Sequence, residues 1–197
     1  MNSRHAGALL LAGHLGCETA SVVCPPGTFA DSERARALLA AARGAGQGLA
    51  REDVTICFGA AGRGAVRHDG IVVLPDSRDQ EAMAARLAHL GMHVADELYR
   101  FPAAGVPCDV QVEAALAAEA RAIVAEIEAC DRLECTAAPY TFAAEVLTAA
   151  PGERVEHVLA RLRAEPETDG LDVLVQGYRA RCEAAAGAAG DRGATGP

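Results

Sequence analysis

The sequence predicts an α/β protein: an N-terminal layer of about four to five mostly parallel strands with flanking helices, followed by a helical C-terminal half. Short apolar runs alternate with helical patterns as far as residue 101, whereas from residue 108 the patterns are helical. Aromatic residues make up only 4% of the 197 residues and Trp is absent, so Ala, Leu and Val must build the core. We expect an α/β domain over 5–101, a helical region over 108–186 packed on it, and a disordered tail over 187–197.

Strands are predicted where a short apolar run is edged by Gly or Pro. The run GALLLAGHL fits a buried strand, and ASVVCPPG fits a second one that its two prolines end. A helix follows over 31–46, and Asp31 or Ser32 can cap it. DVTICFG and GIVVLP then fit two further strands. In residue numbers, the four predicted strands cover 7–15, 20–27, 53–59 and 70–75.

The segment over 76–101 begins as a helix whose end the sequence leaves open. An apolar stripe runs from Met83 to Leu90, and Gly91 follows it. We expect Gly91 to end the helix and MHVADELYRF to form the next strand, because this order is a common continuation of a parallel sheet. The alternative is a helix that continues to Arg100.

The second half of the chain has apolar residues at steps of three and four, which is the spacing of one helix face. This spacing predicts a long helix over 109–135 and further helices over 138–150 and 152–165. A last helix is predicted over 171–186, with a strand for LDVLV as the alternative.

Composition excludes several classes of function. The net charge is −9, which argues against a nucleic-acid partner. All 18 basic residues are Arg, so chemistry that needs a Lys, such as Schiff-base catalysis or a P-loop, is excluded. No apolar run reaches the ~18 residues of a membrane span, and no signal-peptide pattern opens the chain. We therefore expect a cytoplasmic protein with no membrane partner, whose seven cysteines are reduced.

Residues able to carry chemistry cluster in AGHLGCETASVVCPPG, just after the first predicted strand. Side chains at the carboxyl end of a parallel strand face the crevice where open α/β sheets bind ligands. Cys17 is the candidate nucleophile and His14 its base, since an imidazole beside a thiol activates it. His14, Cys17 and Cys24 are also candidate metal ligands, although their spacing matches no common zinc pattern. The alternative is a loop with buried cysteines.

A Gly-rich loop, CFGAAGRGAVRHDG, is the candidate substrate-binding segment. Backbone N–H groups around Gly62 and Gly64, with the guanidinium groups of Arg63 and Arg67, suit a phosphate or a carboxylate. The loop leads into a strand and not into a helix, so a wide turn without a ligand is the alternative.

Three further sets of residues are expected to have structural roles. His89, His93 and Glu97 could form a metal site of two histidines and one carboxylate only if the helix passed Gly91, so an exposed polar face, or a helix and a strand that separate the three, is expected there. Glu119 and Glu126 lie seven residues apart, as in carboxylate metal bundles, but without the usual Glu-x-x-His partners we expect a solvated face. Cys130 and Cys135 should not share a helix face, and core packing is expected for Cys130.

These residues predict a small-molecule enzyme that acts on an anionic substrate with a Cys/His site at the strand ends. The cofactor is left open, with a divalent metal as the candidate. One alternative is a non-catalytic accessory subunit, or a homo-oligomer, whose Ala-rich helices form the interface. The other is a metal or sulfur carrier that uses the cluster at His14 and Cys17.

Overall fold

The computed structural model describes residues 23–45, 54–60, 64–164 and 176–186. In these ranges a small mixed sheet is surrounded by helices. The strands are β1 (Ile56–Ala60), β2 (Ala65–Val66) and β3 (Val72–Pro75), in the spatial order β1-β3-β2. β1 is parallel to β3, with Ile56 opposite Val72, and β2 is antiparallel to β3.

The helices of the first half are α1 (Ser32–Gly44) and α2 (Gln80–Ala95). Asp31 caps α1 by accepting from the Arg34 N–H, and Asp79 caps α2 by accepting from the Ala82 N–H. Both caps satisfy amide groups that have no partner inside the helix. A short 3₁₀ helix, Leu98–Arg100, follows α2.

The second half begins with α3 (Cys108–Arg132), the longest described helix. It continues with α4 (Ala143–Thr148) and α5 (Arg154–Ala164), and residues 176–186 form a further helix, α6. The bounds of α3 and α5 agree with the predicted helices to within a few residues. None of the described helices is both long enough and apolar enough to cross a bilayer.

Helix α2 lies at the centre of the packing. On one side it contacts α1 and β3, and Leu38, Phe58, Leu74 and Leu87 are among the buried residues there. On the other side it contacts α3 along its length, and we call this contact the α2–α3 seam. The small side chains of Ala85, Ala88 and Ala129 let the two helices approach closely. A further apolar cluster joins α3 to α4, α5 and Tyr178 of α6.

The predicted layer of four to five mostly parallel strands is wrong, because the described chain is mostly helical with a three-stranded mixed sheet. The predicted strands over 53–59 and 70–75 are present as β1 and β3. The strand predicted over 7–15 lies outside the described residues, and the described part of the one predicted over 20–27, residues 23–27, forms no strand. The strand predicted for MHVADELYRF does not exist: α2 passes through Gly91 to Ala95. Leu90, His93 and Val94 are all buried, and their burial outweighs the ~1 kcal/mol that a helical Gly costs.

The expectation of reduced cysteines is also wrong for the six cysteines that lie in the described ranges. They form the disulfides Cys24–Cys57, Cys108–Cys182 and Cys130–Cys135. Core packing is confirmed for Cys130, which is buried beside Ala88 and Ala129, but the helix was predicted to reach Cys135 and to keep the two cysteines on different faces. Helix α3 instead ends at Arg132, and Glu134 has a positive φ of 55° that turns the chain back. The Cys135 N–H then donates to the Cys130 carbonyl, which brings the two sulfur atoms together.

Candidate metal centre

Three side chains in the α2–α3 seam are able to hold a metal ion: His89 and His93 of α2, and Glu119 of α3. The two histidines are four residues apart, so they lie on the same face of α2, one turn from each other. Their rings meet edge to face, with centroids 4.6 Å apart. Glu119 faces them from α3. We call these three residues the metal centre.

The ligand atoms are close enough to share one small ion, since all three lie within 4.8 Å of one another. Two atoms bound to one zinc ion at ~2.0–2.1 Å lie roughly 3.3–3.4 Å apart when the angle between them is tetrahedral. The Nε2 atom of His93 lies 3.4 Å from Glu119 Oε1, and the Nε2 atom of His89 lies 3.6 Å from Glu119 Oε2. Both distances are too long for a strong hydrogen bond, but they suit two ligands of the same ion.

The metal centre also contains polar atoms that the described residues do not satisfy. Glu119 is only 3% exposed, and its Oε2 atom has no hydrogen-bond partner in the described part of the chain. The same is true of His93 Nδ1. Buried polar groups are almost always paired, and an unmatched one calls for a further partner, such as a water molecule or an ion. Of these two atoms, Glu119 Oε2 faces His89, where a shared cation would satisfy it.

The second nitrogen of the His89 ring is held by a neighbouring carboxylate. Its Nδ1 atom lies 2.9 Å from Glu126 Oε2, which also accepts a hydrogen bond from the Tyr140 hydroxyl at 2.8 Å. The Arg86 guanidinium lies 3.1 Å from the same oxygen. A carboxylate on Nδ1 fixes the proton there and leaves Nε2 with its lone pair toward Glu119, an arrangement that metal-binding histidines commonly use.

Glu119 is oriented by a hydrogen bond from α6. The Tyr178 hydroxyl donates to Glu119 Oε1 over 2.5 Å, and the Tyr178 ring packs edge to face on Phe101 with centroids 5.0 Å apart. Burial raises the pKa of Tyr178 far above its ordinary value, and the negative charge of Glu119 adds to this effect. Tyr178 is therefore a neutral donor that positions the carboxylate and not a phenolate ligand.

The protonation states in the metal centre suit a cation. Burial lowers the pKa of His89 to about 4, which outweighs the raising effect of the Glu126 hydrogen bond, so His89 is neutral at pH 7. Burial raises the pKa of Glu119, but the hydrogen bond and charge of His93, together with the charge that His89 carries at acidic pH, outweigh this effect and lower the pKa to about 2. A neutral imidazole and an ionised carboxylate are the forms that bind metals.

The balance of charge differs between the two buried carboxylates. Glu126 lies beside the permanent cation of Arg86. The ion pairs of Glu119 within the described ranges are with His89 and His93, and His89 carries no charge at neutral pH. Because a buried carboxylate is unstable without a compensating charge, the environment of Glu119 favours a bound cation.

The sequence-predicted site falls mostly outside the described residues. His14, Cys17, Gly62 and Arg63 all lie there, so the proposed Cys/His pair and the arginine beside it remain predictions. Cys24 is bonded to Cys57, and in this form it offers no thiolate to a metal.

The described residues of the Gly-rich loop have structural partners. Gly64 has a φ of +84°, and a Cβ there would lie 2.7 Å from the Val73 carbonyl oxygen, so this glycine allows β3 to approach closely. The Arg67 guanidinium lies 3.3 Å from the Asp69 carboxylate inside the turn. Both contacts fit a wide turn without a ligand, which is the alternative to an anion-binding loop.

The sequence pattern did not join the three residues of the metal centre. His89 and His93 were separated by the assumed helix end at Gly91, and Glu119 and Glu126 were assigned to a solvated face. The structure buries both carboxylates and leaves Glu97 outside the seam, half-exposed beside Arg100. The signal that was available is the spacing itself: a His-x-x-x-His pair, followed by two glutamates seven residues apart on the next helix.

Comparison of the chain with protein-family models, with curated proteins and with solved structures found no match in any of the three. Function is therefore inferred from the chemistry of the α2–α3 seam.

Proposed function

We propose that this protein binds a zinc ion through His89, His93 and Glu119. The observation that carries the proposal is the buried Glu119 carboxylate, which has one unpartnered oxygen and faces two imidazole Nε2 atoms at 3.4 and 3.6 Å. A cation among these three groups would satisfy the carboxylate, compensate its charge and use both imidazole lone pairs.

The ligand types favour zinc among the divalent metals. Two imidazole nitrogens and one carboxylate are an established zinc set, whereas calcium and magnesium take mainly oxygen ligands. Arg86 lies beside Glu126, and its positive charge opposes a second metal on that side of His89. One ion per chain is therefore expected.

The residue after His89 argues against a peptidase of the His-Glu-x-x-His type. In those enzymes, two histidines four apart hold zinc and the Glu after the first one is the general base. Here that position is Leu90, which is 1% exposed and packs in the apolar cluster on the other side of α2. We therefore propose a protein that holds zinc, with three protein ligands and one position left for a small ligand.

The first test is zinc binding by the full chain after treatment with a chelator. We expect one zinc ion per chain in a competition titration against a chromogenic chelator. Glu119→Gln keeps the shape of the side chain but removes its charge, so it should reduce zinc affinity by at least about 100-fold.

Glu145→Gln is the matched control, because Glu145 is an exposed carboxylate on α4 that pairs with Arg161. It should bind zinc as the wild type does. Zinc bound equally well by the Glu119→Gln variant would show that the ion sits elsewhere, and the proposed function would be wrong.

A further inference from the structure

We propose that the Cys108–Cys182 disulfide is a redox switch for the metal centre. Reduction by a dithiol would release α6, take the Tyr178 hydroxyl away from Glu119 and weaken zinc binding. This inference rests on the proposed zinc function and assigns a regulation to that same site.

Two side chains attach α6 to the rest of the molecule. Among the described residues of α6, Tyr178 and Cys182 are buried, at 6% and 2% exposure, and the others are exposed or partly exposed. They are four residues apart and therefore lie on one face, one turn from each other. Cys182 is covalently bonded to Cys108, the first residue of α3, across 74 positions of sequence.

The same face of α6 thus carries both the disulfide and the hydrogen bond to the metal centre. Once the covalent bond is open, the remaining buried contacts are those of Tyr178, whose ring packs on Phe101 and the α3–α5 cluster and whose hydroxyl donates to Glu119; the exposed Arg181 adds a contact with the Phe101 ring. A helix of this length is marginal in water without tertiary contacts. Loss of one of its two anchors should therefore loosen the other.

The disulfide is placed where a reductant can reach it. Cys108 is partly exposed, and a cavity of about 260 Å³ beside the disulfide is lined by the 102–106 loop and the end of α6. Gln111 holds this loop: its amide donates to the carbonyl oxygens of Ala103 and Val106, and its Oε1 atom accepts from the Ala103 N–H.

Gln111 also supports the chemistry of reduction. A thiolate of the dithiol would attack the more accessible Cys108 Sγ, which breaks the S–S bond and leaves the electron pair on Cys182 Sγ. The Gln111 Nε2 group lies 3.7 Å from that sulfur and can share one of its two N–H groups, which also serve the loop carbonyls, with the thiolate until the thiolate takes up a proton. The second thiol of the reductant then displaces Cys108. The reductant ends as a disulfide and the protein as two thiols.

The other two disulfides lack this connection. Cys130–Cys135 closes a loop between residues only five apart, at the end of α3. Cys24–Cys57 ties the segment before α1 to β1. Neither one holds an element that donates a hydrogen bond to the metal centre in the described ranges.

The test compares two double variants under oxidising conditions, so that no new thiol is left to bind zinc. Cys108→Ser with Cys182→Ser opens the proposed switch, and Cys130→Ser with Cys135→Ser is the matched control. We expect the first to bind zinc about 10–100-fold more weakly than the wild type, the range seen when a ligand loses its supporting group, and the control to be unchanged. Hydrogen exchange over 176–186 should become faster only in the first.

Tyr178→Phe, with the disulfide intact, separates the two steps. It should weaken zinc binding to a similar degree while hydrogen exchange over 176–186 stays slow. Equal zinc affinity in the Cys108/Cys182 variant and the wild type would overturn the switch and leave the zinc proposal standing. If the oxidised wild type bound no zinc, both proposals would be wrong.

Discussion

A single carboxylate oxygen of Glu126 determines the orientation of the His89 ring. It contacts the Nδ1 atom of His89 at 2.9 Å and accepts from Tyr140, while Arg86 supplies the compensating charge. The ring therefore cannot turn over without losing this contact. At the residue scale, the site depends as much on these supporting groups as on the three ligands.

Glu126→Gln should raise the dissociation constant for zinc by about 10–100-fold without abolishing binding. The amide keeps an oxygen near His89 Nδ1 but loses the charge that makes the imidazole a better ligand. Competition titration with the same chelator measures the change. An affinity equal to that of the Glu145→Gln control would show that Glu126 does not support the ligand.

The residue types of the site were visible in the sequence, but their burial was not. A glutamate in an Ala-rich helix is normally solvated, and only the packing of α2 on α3 reveals that Glu119 and Glu126 face inward. Charge on an apolar face is the pattern that indicates this, because it is costly without a partner. Tyr140 is buried against Glu126 and supplies part of that partner.

At the scale of elements, the central question was where α2 ends. The His-x-x-x-His pair exists as one face only because α2 continues through Gly91 to Ala95. A helix that ended at Gly91 would have left His93 outside the helical face of His89. Local sequence supports both outcomes, and the contact with α3 decides between them.

The close approach of the β2 strand to β3 depends on Gly64. Gly64→Ala combines a left-handed backbone with a Cβ that would lie 2.7 Å from the Val73 carbonyl oxygen, and we expect a loss of about 2–4 kcal/mol of unfolding free energy. Gly105→Ala is the matched control, because its φ of +78° is similar but a Cβ there meets nothing within 4 Å. It should cost only ~1–2 kcal/mol.

Urea unfolding of the two variants measures the difference between them. Equal losses would show that backbone strain alone, and not the close approach to β3, requires a glycine at position 64.

At the scale of the whole molecule, the metal centre lies between the two largest apolar clusters. One is formed by α1, α2 and the sheet, and the other by α3, α4, α5 and Tyr178. The seam that joins them buries the histidines and carboxylates, so their protonation is coupled to global stability.

The metal-free protein should lose stability as the pH falls below about 6.5. The pKa of His89 is about 4 in the folded chain against an ordinary 6.5, so between these values the unfolded chain binds a proton that the folded chain does not, and stability rises with pH. The pKa of Glu119 is also lowered, from 4.5 to about 2, so its stabilising contribution is lost over that lower range.

Urea unfolding at pH 7 and pH 5 in the presence of EDTA measures this dependence. His89→Gln should make the unfolding free energy less dependent on pH between pH 6.5 and 4. His157→Gln, at an exposed position on α5, is the control and should keep it. A wild type equally stable at pH 7 and pH 5 would contradict the lowered pKa of His89.

Much of the element order followed from periodicity, whereas the architecture did not. The helices predicted over 31–46, 109–135 and 152–165 are present as α1, α3 and α5. Their apolar residues recur at steps of three and four, a spacing that places them on one face of a helix and not of a strand. The prediction of a parallel layer failed because a short apolar run looks the same in sequence whether it forms a buried strand or part of a buried helix. MHVADELYRF is an example, since its first residues belong to α2. Pairing of cysteines distant in sequence, such as Cys108 and Cys182, depends on tertiary structure that no local pattern contains.

The position of Leu90 bears on the evolution of this protein. A methyl group added at Gly64 would lie 3.4 Å from Leu90 Cδ1, which shows how tightly this leucine is enclosed between α2 and the sheet. A mutation to glutamate would place a carboxylate in that apolar space, and burying it would cost more stability than a small domain usually has to spare. Because this space lies on the side of α2 away from the metal centre, the substitution would destabilise the protein without supplying a base to the zinc, so a single change at position 90 does not lead to hydrolytic activity.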